Sequence, residues 1–328
     1  MNWGVGDFQF LKSGSDEPCI QPIESSHLAR KHRHRPPPPH APSWEGYGYG
    51  LIGVLVFALT LPMTRLAVGE LSPLLVGLGR ALLAAVPAAA LLWLTRSRRP
   101  DRAEWSGIVL AAVGIVVGWP VASTLAMASV PAAHGAVFNG LLPLSTAVFA
   151  AWRSGERPSP AFWSFAVLGA VLVAGYALRQ GQGALQPGDL WLLLAVVLGG
   201  MGYAEGARAS RTLGGWRTIC WALVVSVPAL LPAVLWLAHD AAWPSLPVAG
   251  AFAYLAFGSM FLGFFAWYRG LAIGGIARVG QIQLLQPFLT VVAAALLFNE
   301  QVEPITYVFA VAVVLVIAGG RRAMVRKA

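Results

Sequence analysis

Residues 139–160 read NGLLPLSTAVFAAWRSGERPSP, and residues 283–304 read QLLQPFLTVVAAALLFNEQVEP. The two stretches align with each other without a gap. Matches between alanines, valines and leucines are common among apolar sequences, but a repeated framework of proline, glutamate and proline is not. That framework occurs with the same spacing in both stretches, at Pro143, Glu156 and Pro160 and again at Pro287, Glu300 and Pro304. The sequence therefore indicates an internal duplication.

The composition around this repeat is typical of a membrane protein. The chain has 328 residues, of which 57% are hydrophobic and 11% are charged, and its mean hydropathy is +0.66. Soluble domains carry about 25% charged residues, so this composition excludes an ordinary soluble enzyme. Because a membrane-spanning helix needs roughly 20 apolar residues, the apolar runs predict ten spans, near 48–68, 73–94, 105–126, 131–152, 161–179, 189–208, 216–237, 248–269, 279–298 and 303–320.

The predicted fold class is an all-α polytopic membrane protein with ten transmembrane helices, arranged as two inverted five-helix repeats. Residues 46–180 form the first repeat and residues 187–320 form the second. Because each repeat has an odd number of spans, the second must enter the membrane upside down relative to the first. Inverted repeats are typical of secondary transporters, which bind their substrate near the midplane and work by alternating access.

The two ends of the chain are polar. Residues 1–45 contain the basic run Lys31–Arg35, followed by four prolines. This composition predicts a disordered cytoplasmic tail with extended polyproline conformation. Contact between the basic run and anionic lipid is the alternative. Residues 321–328 form a short basic C-terminus.

The positive charges follow the predicted topology. If both termini are cytoplasmic, all but three of the 23 Lys and Arg residues lie on the inner side, the exceptions being Arg65, Arg80 and Arg179. The positive-inside rule therefore predicts cytoplasmic termini in the plasma (inner) membrane, with loops 180–188 and 238–247 outside. Topology accounts for the net charge of +9, so no nucleic acid partner is expected. The expected partners are a small-molecule substrate and the lipid bilayer, with a homodimer left open.

Short motifs link the chain to a known family. The first half has Leu71-Ser72-Pro73 followed by Arg80, then Leu142-Pro143 and Gly155-Glu156-Arg157, and the second half has Gln286-Pro287 and Phe298-Asn299-Glu300. Over about residues 48–320 the chain resembles the ten-span EamA-type branch of the drug/metabolite transporter superfamily. The resemblance implies export or exchange of small metabolites, with amino acids a frequent cargo. Where the family often has Glu-Pro and Gly-Glu pairs, this chain has Gln-Pro and Asn-Glu, so an amide replaces a carboxylate at position 286.

Polar residues beside the repeated prolines are the candidate substrate site. They share one helical face in each of the fourth and ninth spans, at Asn139, Pro143, Thr146, Gln283, Gln286, Pro287 and Thr290. A proline near the centre of a span frees a backbone carbonyl, which protein or a water-lined cavity must satisfy. We expect these side chains to line a site for a polar solute. Hydrogen bonding that only holds neighbouring helices together is the alternative.

Arg80 is the candidate for binding an anionic or zwitterionic substrate. It lies about two turns into the second span, and a charge within the membrane indicates a functional site by default. Snorkelling toward the outer surface, or pairing with Glu70, is the alternative. Five aromatic residues are candidates for a lining, although belt positions and helix packing would explain most of them equally well: Trp119, Tyr203, Tyr254, Trp267 and Tyr268.

The other titratable residues of the apolar stretches receive structural interpretations. Glu156 and Glu300 lie where spans end, and we expect them to cap helices. Glu205 is predicted to form an interfacial ion pair with Arg208, and His134 is predicted to be an interfacial histidine in contact with water. No carboxylate is predicted at mid-bilayer, so the sequence does not identify a coupling ion.

Two other functions are alternatives to a metabolite transporter. A flippase for lipid or lipid-linked sugar would be favoured by a lateral opening between helices, whereas a closed cavity lined by the amides would favour a soluble metabolite. A membrane-embedded enzyme is the least favoured, because the sequence has no paired intramembrane aspartates, no HExxH and no Walker-type loop. We therefore predict a secondary transporter, not an enzyme, that exports small polar metabolites such as amino acids. No cofactor, metal site or catalytic residue is expected.

Overall fold

The structure is a computed structural model, and it describes residues 44–154, 159–180, 182–274, 279, 282–298 and 301–324. Within these residues every regular element is helical, which confirms the predicted all-α class. The helices of the first half are α1 (Trp44–Ala58), α2 (Thr60–Ala67), α3 (Pro73–Leu94), α4 (Arg102–Ala111), α5 (Trp119–Met127), α6 (Ala132–Asn139), α7 (Leu142–Ser154) and α8 (Pro160–Gln180). A π-helical segment, Ala112–Gly118, joins α4 to α5.

The second half contains α9 (Pro187–Leu213), α10 (Gly215–Ala238), α11 (Leu246–Ala253), α12 (Phe264–Gly274), α13 (Gln286–Phe298) and α14 (Pro304–Met324). A second π-helical segment, Tyr254–Gly263, joins α11 to α12, and a 3₁₀ turn, Ile282–Leu285, leads into α13. Because α1 begins at Trp44, residues 44 and 45 belong to the first helix, whereas the sequence placed them in the tail. The rest of the predicted tail, residues 1–43, lies outside the described residues.

Eight helical stretches of the described chain are long and apolar enough to cross a membrane: Trp44–Ala67, Pro73–Leu94, Arg102–Met127, Ala132–Arg153, Trp163–Gln180, Pro187–Leu213, Gly215–Ala238 and Leu246–Ile273. Two shorter apolar helices, Ile282–Leu297 and Pro304–Val316, coincide with the ninth and tenth spans predicted from the sequence. The protein is thus a multi-pass helical membrane protein, and the count of ten spans stays a prediction.

The helix boundaries recur at the interval of the sequence repeat. α7 and α13 begin at Leu142 and Gln286, which are equivalent positions of the two repeated stretches, and α8 and α14 begin at the equivalent prolines Pro160 and Pro304. Helix packing repeats as well. α3 packs against its counterpart α10, α8 packs against its counterpart α14, and the contact of α1 with α12 matches that of α9 with α5.

The repeated prolines begin helices and do not kink continuous ones. Pro143 is the second residue of α7, after a break at Gly140, and Pro287 is the second residue of α13. The sequence predicted both prolines near the centres of spans, where each would free a backbone carbonyl. At the start of a helix the missing N–H costs no intrahelical hydrogen bond. A Cβ placed on Gly140 would lie 2.8 Å from Val313 and 3.7 Å from Pro287, so the two interruptions lie next to each other.

Candidate functional site

A small cavity lies where the helix interruptions meet. Its walls come from the α1–α2 junction, from both π-helical segments and the helix starts that follow them, from the first residues of α7 and α13, and from the middle of α9. The lining residues are Phe57, Thr60, Ile115, Trp119, Leu142, Tyr203, Ser259, Met260, Phe264 and Gln286. The volume is about 20 Å³, which is room for about one water molecule. This conformation is therefore closed around the cavity and too tight for a metabolite.

The break between α1 and α2 explains part of the polar wall. Pro62 has no N–H, so the carbonyl of Ala58, four residues earlier, lacks its helical donor. The Thr290 hydroxyl donates to this carbonyl at 2.9 Å. The Gln286 Nε2 atom lies 3.5 Å from the adjacent carbonyl of Phe57. Side chains of α13 thus satisfy backbone groups that the break in the first helix exposes.

Further polar groups face the cavity from three elements. The hydroxyls of Thr60 on α2 and Ser259 on the second π-helical segment are hydrogen-bonded at 2.8 Å. Gln286 is 4% exposed, and its Oε1 atom has no hydrogen-bond partner within the described part of the chain. Because a buried acceptor without a donor costs about 1–3 kcal/mol, this oxygen is suited to accept a hydrogen bond from a solute or a water molecule.

Aromatic rings form much of the remaining wall. The rings of Phe57, Tyr203 and Phe264 lie with centroids 5.0 to 6.5 Å apart, and Trp119 lines another side. Two of the five aromatic candidates, Trp119 and Tyr203, therefore lie at the cavity. The other three pack outside its lining: Tyr254, Trp267 and Tyr268.

Among the residues that the structure describes, Arg80 is a buried cation without a hydrogen-bond partner. Its side chain is 0% exposed, and its three guanidinium nitrogens are all unpaired. The guanidinium carbon lies 5.3 Å from the ring centroid of Trp119, within the range of a cation–π contact. Arg80 thus lies against a residue that lines the cavity.

Both alternatives drawn from the sequence for Arg80 are wrong. A snorkelling side chain would reach the surface, and Arg80 does not. The Glu70 carboxylate instead accepts hydrogen bonds from the Ser245 N–H at 2.7 Å and from the Ser245 hydroxyl at 2.6 Å. These bonds hold the pKa of the Glu70 carboxyl below its usual range, so it remains an anion at neutral pH and links the α2–α3 loop to the start of α11.

The remaining residues of the repeated polar face do not line the cavity. Asn139 ends α6 and Gln283 lies in the 3₁₀ turn before α13. They are 5% and 4% exposed, and their side-chain nitrogens have no partner among the residues described. The Thr146 hydroxyl donates to the carbonyl of Leu142 within its own helix at 2.9 Å. Of this face, Gln286 reaches the cavity, whereas Asn139 and Gln283 place unpaired amides beside the two interruptions.

Glu205 is held by two arginines. The predicted ion pair with Arg208 is confirmed, with the Nη2 atom 2.8 Å from Oε2. Arg153 at the end of α7 contacts the other carboxylate oxygen at 2.5 Å. The sequence carries no signal for this second contact, because the partners lie 52 residues apart. The three side chains join α7 to α9.

His134 was predicted to be in contact with water, and the structure contradicts this. Its side chain is 5% exposed, and its Nε2 atom lies 2.6 Å from the Oδ1 atom of Asp189, whose side chain is 0% exposed. The prediction for His134 failed because a position near a helix end in the sequence does not show which side chains cover the residue in the fold. Asp189, 55 residues away, gave no sequence signal as a partner.

Several predicted positions lie outside the described residues. They include Glu156 and Glu300, whose capping role stays a prediction, and Asn299. Within the described part of the chain, no group of three or more His, Cys, Asp or Glu side chains is arranged to hold a metal ion.

Comparison with known proteins identifies relatives. The EamA-like transporter family matches the chain twice, over residues 44–177 and 186–319. An uncharacterized transporter of Bacillus subtilis (strain 168), YdeK, is 45% identical over 279 residues, which cover 84% of this chain and 97% of the relative. A protein of known crystal structure has a similar fold, with a TM-score of 0.58 at 19% identity, over 85% of this chain and 96% of the other.

Proposed function

The chain belongs to the EamA-like transporter family, and on that premise we propose that it is a secondary transporter that exports small polar metabolites by alternating access. The cargo would be amino acids or related solutes, and the membrane would be the plasma membrane. The observation that carries the proposal is the cavity at the helix interruptions. Broken helices that offer backbone and amide groups near the midplane are how transporters of other folds bind their substrates.

The proposed architecture has ten spans in two inverted five-helix repeats. The double match of the family supports it, and so do the helix boundaries that recur at the interval of the sequence repeat. Two halves with the same fold can rock about a central site between states of similar energy. The charge partition along the sequence supports cytoplasmic termini.

The proposed substrate site combines the cavity wall with the residues around it. Trp119, Tyr203 and Gln286 would contact the solute directly. The other members would contact it, or position the groups that do, when the helices part: Arg80, Asn139, Pro143, Thr146, Gln283, Pro287 and Thr290.

The charges of the site favour a solute that carries a carboxylate. A buried guanidinium without a counter-charge is costly in a low-dielectric interior, and a substrate carboxylate would supply that counter-charge. Trp119 contacts Arg80 and also lines the cavity, so movement of the indole would bring the guanidinium and the solute together. The free oxygen of Gln286, which also lines the cavity, would accept a hydrogen bond from an amino group. The Arg80 guanidinium and the Gln286 oxygen together suit the carboxylate and the amino group of a zwitterion.

A soluble metabolite fits the lining better than a lipid. The cavity is walled by residues from both halves of the chain, and its polar groups converge from α2, the second π-helical segment and α13. A lipid would in addition need a lateral passage for its acyl chains. The proposal involves no catalytic step.

Untargeted metabolite profiling tests the proposed function. Cells producing the wild-type protein, the Arg80→Gln variant at equal membrane abundance, or no protein would be compared for metabolites inside the cell and in the medium. We expect one or a few carboxylate-bearing solutes to accumulate in the medium only with the wild type. Indistinguishable profiles for all three, under several nutrient conditions, would contradict the proposal.

A further inference from the structure

His134 and Asp189 form a buried hydrogen-bonded pair between α6 of the first half and α9 of the second. The His134 Nε2 atom lies 2.6 Å from the Asp189 Oδ1 atom. The second carboxylate oxygen of Asp189 accepts the backbone N–H of Gln186 at 2.8 Å, which anchors the carboxylate at the start of α9. Buried pairs of histidine and carboxylate within a membrane protein are typical of proton pathways.

We propose that this pair binds the proton that drives transport, which makes the protein a proton antiporter. The inference rests on the proposed transport function. In the loaded state the imidazole of His134 takes up one proton and becomes imidazolium, while Asp189 stays ionised. On release the proton returns to water, and the imidazole is neutral again. The proton enters the cell as the solute leaves.

The surroundings make the pair sensitive to this proton. The imidazole lies 5.1 Å from the ring of Tyr176 on α8 and 5.3 Å from the ring of Phe138 on α6. The Tyr176 hydroxyl bonds Thr306 on α14 at 3.3 Å. These groups carry no charge. Among the described residues in contact with Asp189, only a protonated His134 would therefore balance the negative charge of its carboxylate. Loss of that proton would leave an uncompensated anion in the interior, which is strongly unfavourable.

Charged groups on the neighbouring elements do not replace this proton. Arg65 on α2 donates to the carbonyl of Met127, and Arg179 on α8 is exposed. Glu303, before α14, adds a negative charge near Tyr176. Neither α5 nor α13 carries a charged residue. Glu205 lies 16 residues further along α9, about 24 Å away at 1.5 Å per residue.

The pair is linked to the cavity through the two helices that it joins. His134 lies five residues before the end of α6, where the break leads to Leu142 in the cavity wall. α9 carries Asp189 at its start and Tyr203 at the cavity. Between the His134–Asp189 pair and the cavity, Phe138, Leu192 and Val196 belong to one apolar cluster. A change in the charge of the pair would therefore act on α9, which lines the cavity, and on α6, whose end leads to the cavity wall at Leu142.

The test measures how pH changes access to the cavity. In the full chain with Cys19 and Cys220 replaced, a cysteine introduced at Met260 in the cavity wall would be labelled with N-ethylmaleimide across the titration range of histidine. The labelling rate of the cysteine at Met260 would be divided by the labelling rate of a cysteine introduced at Ala242, in the exposed loop before α11. We expect this ratio to change by about 5- to 150-fold in the wild-type background, the usual range of coupling between two sites.

The variant His134→Gln decides whether the pair is responsible. Glutamine keeps an N–H donor for Asp189 but binds no proton, so the pH dependence should disappear. Glu45→Gln is the matched control. Glu45 occupies the position of the first half that is equivalent to Asp189, and it forms an exposed ion pair with Arg269 at 3.2 Å. Its loss should leave the pH dependence unchanged.

A His134→Gln variant with the full wild-type pH dependence would overturn the proposal. If that variant does not fold, Asp189→Asn removes the carboxylate that stabilises the imidazolium, and the midpoint of the transition should move to lower pH. An unchanged midpoint would contradict the proton site. If the protein exports a metabolite but access to the cavity does not depend on pH, only the proton site is refuted. If access depends on pH through His134 but no metabolite is exported, only the transport proposal is refuted.

Discussion

Two polar side chains at the start of α13, Gln286 and Thr290, have different roles, which their hydrogen bonds distinguish. Thr290 bonds the carbonyl that Pro62 leaves without a donor, so it holds α13 to α1. Gln286 holds the neighbouring carbonyl only weakly at 3.5 Å and keeps its oxygen free. The two residues lie one helical turn apart, yet we expect one to act in binding and the other in stability.

Replacing Gln286 with alanine should weaken cargo binding. If its oxygen accepts a hydrogen bond from a charged amino group, the loss is worth roughly 1.5–3 kcal/mol, or about a 10- to 150-fold loss of affinity. Thr290→Val is the matched comparison and should lower the unfolding free energy by about 0.6 kcal/mol, with a smaller loss of affinity than Gln286→Ala. Binding isotherms and melting curves on both variants check this. Unchanged affinity in Gln286→Ala would mean that the amide serves only in packing.

The first π-helical segment is in close contact with a glycine of α9. A Cβ on Gly202 would lie 2.5 Å from the Ile115 side chain and 2.7 Å from its backbone nitrogen. The first π-helical segment therefore rests directly on α9 at the level of Tyr203, and both belong to the cavity wall. Backbone contacts of this kind leave no room for a methyl group.

Gly202→Ala should therefore destabilise the protein. Gly175 on α8 is the matched control, because a Cβ there would meet nothing within 4 Å, and Gly175→Ala should stabilise its helix by about 0.5–1 kcal/mol. Thermal unfolding in the same detergent compares the two variants. Equal melting temperatures would show that α9 and the π-helical segment can separate freely at this point.

Sequence reasoning succeeded for elements where periodicity and breakers agree. Pro160 and Pro304 begin helices near their predicted positions, because proline favours the first turn. The π-helical segments gave no such signal, and their main contacts are with helices far away in the sequence. The burial of His134 and the contact of Arg153 with Glu205 were missed for the same reason, as both depend on partners far away in the sequence.

At the scale of the whole molecule, orientation and duplication are linked. The basic loops predict cytoplasmic termini, and helices at equivalent positions of the two halves pack in matching pairs. If the halves are inverted, the 95–101 loop and its counterpart at 239–245 must lie on opposite sides of the membrane.

Cysteine labelling on intact cells tests this topology. With Cys19 and Cys220 replaced, we expect an impermeant thiol reagent to label a cysteine introduced at Ala242 and to leave one introduced at Ser97 unlabelled until the membrane is permeabilised. Ala242 avoids the hydrogen bonds between Glu70 and Ser245. Labelling at Ser97 alone would reverse the orientation, and equal labelling at both positions would contradict the inverted halves.

The central claim is that Arg80 and the cavity beside it bind a carboxylate-bearing solute during transport. Its most direct test is counterflow of the solute found by metabolite profiling, in liposomes containing purified wild-type protein, Arg80→Gln or Arg179→Gln, an exposed arginine on α8. We predict that the wild type and Arg179→Gln transport alike, while Arg80→Gln loses affinity about 10- to 150-fold, as expected when a hydrogen bond to a charged group is removed. Equal transport by all three proteins would contradict the account.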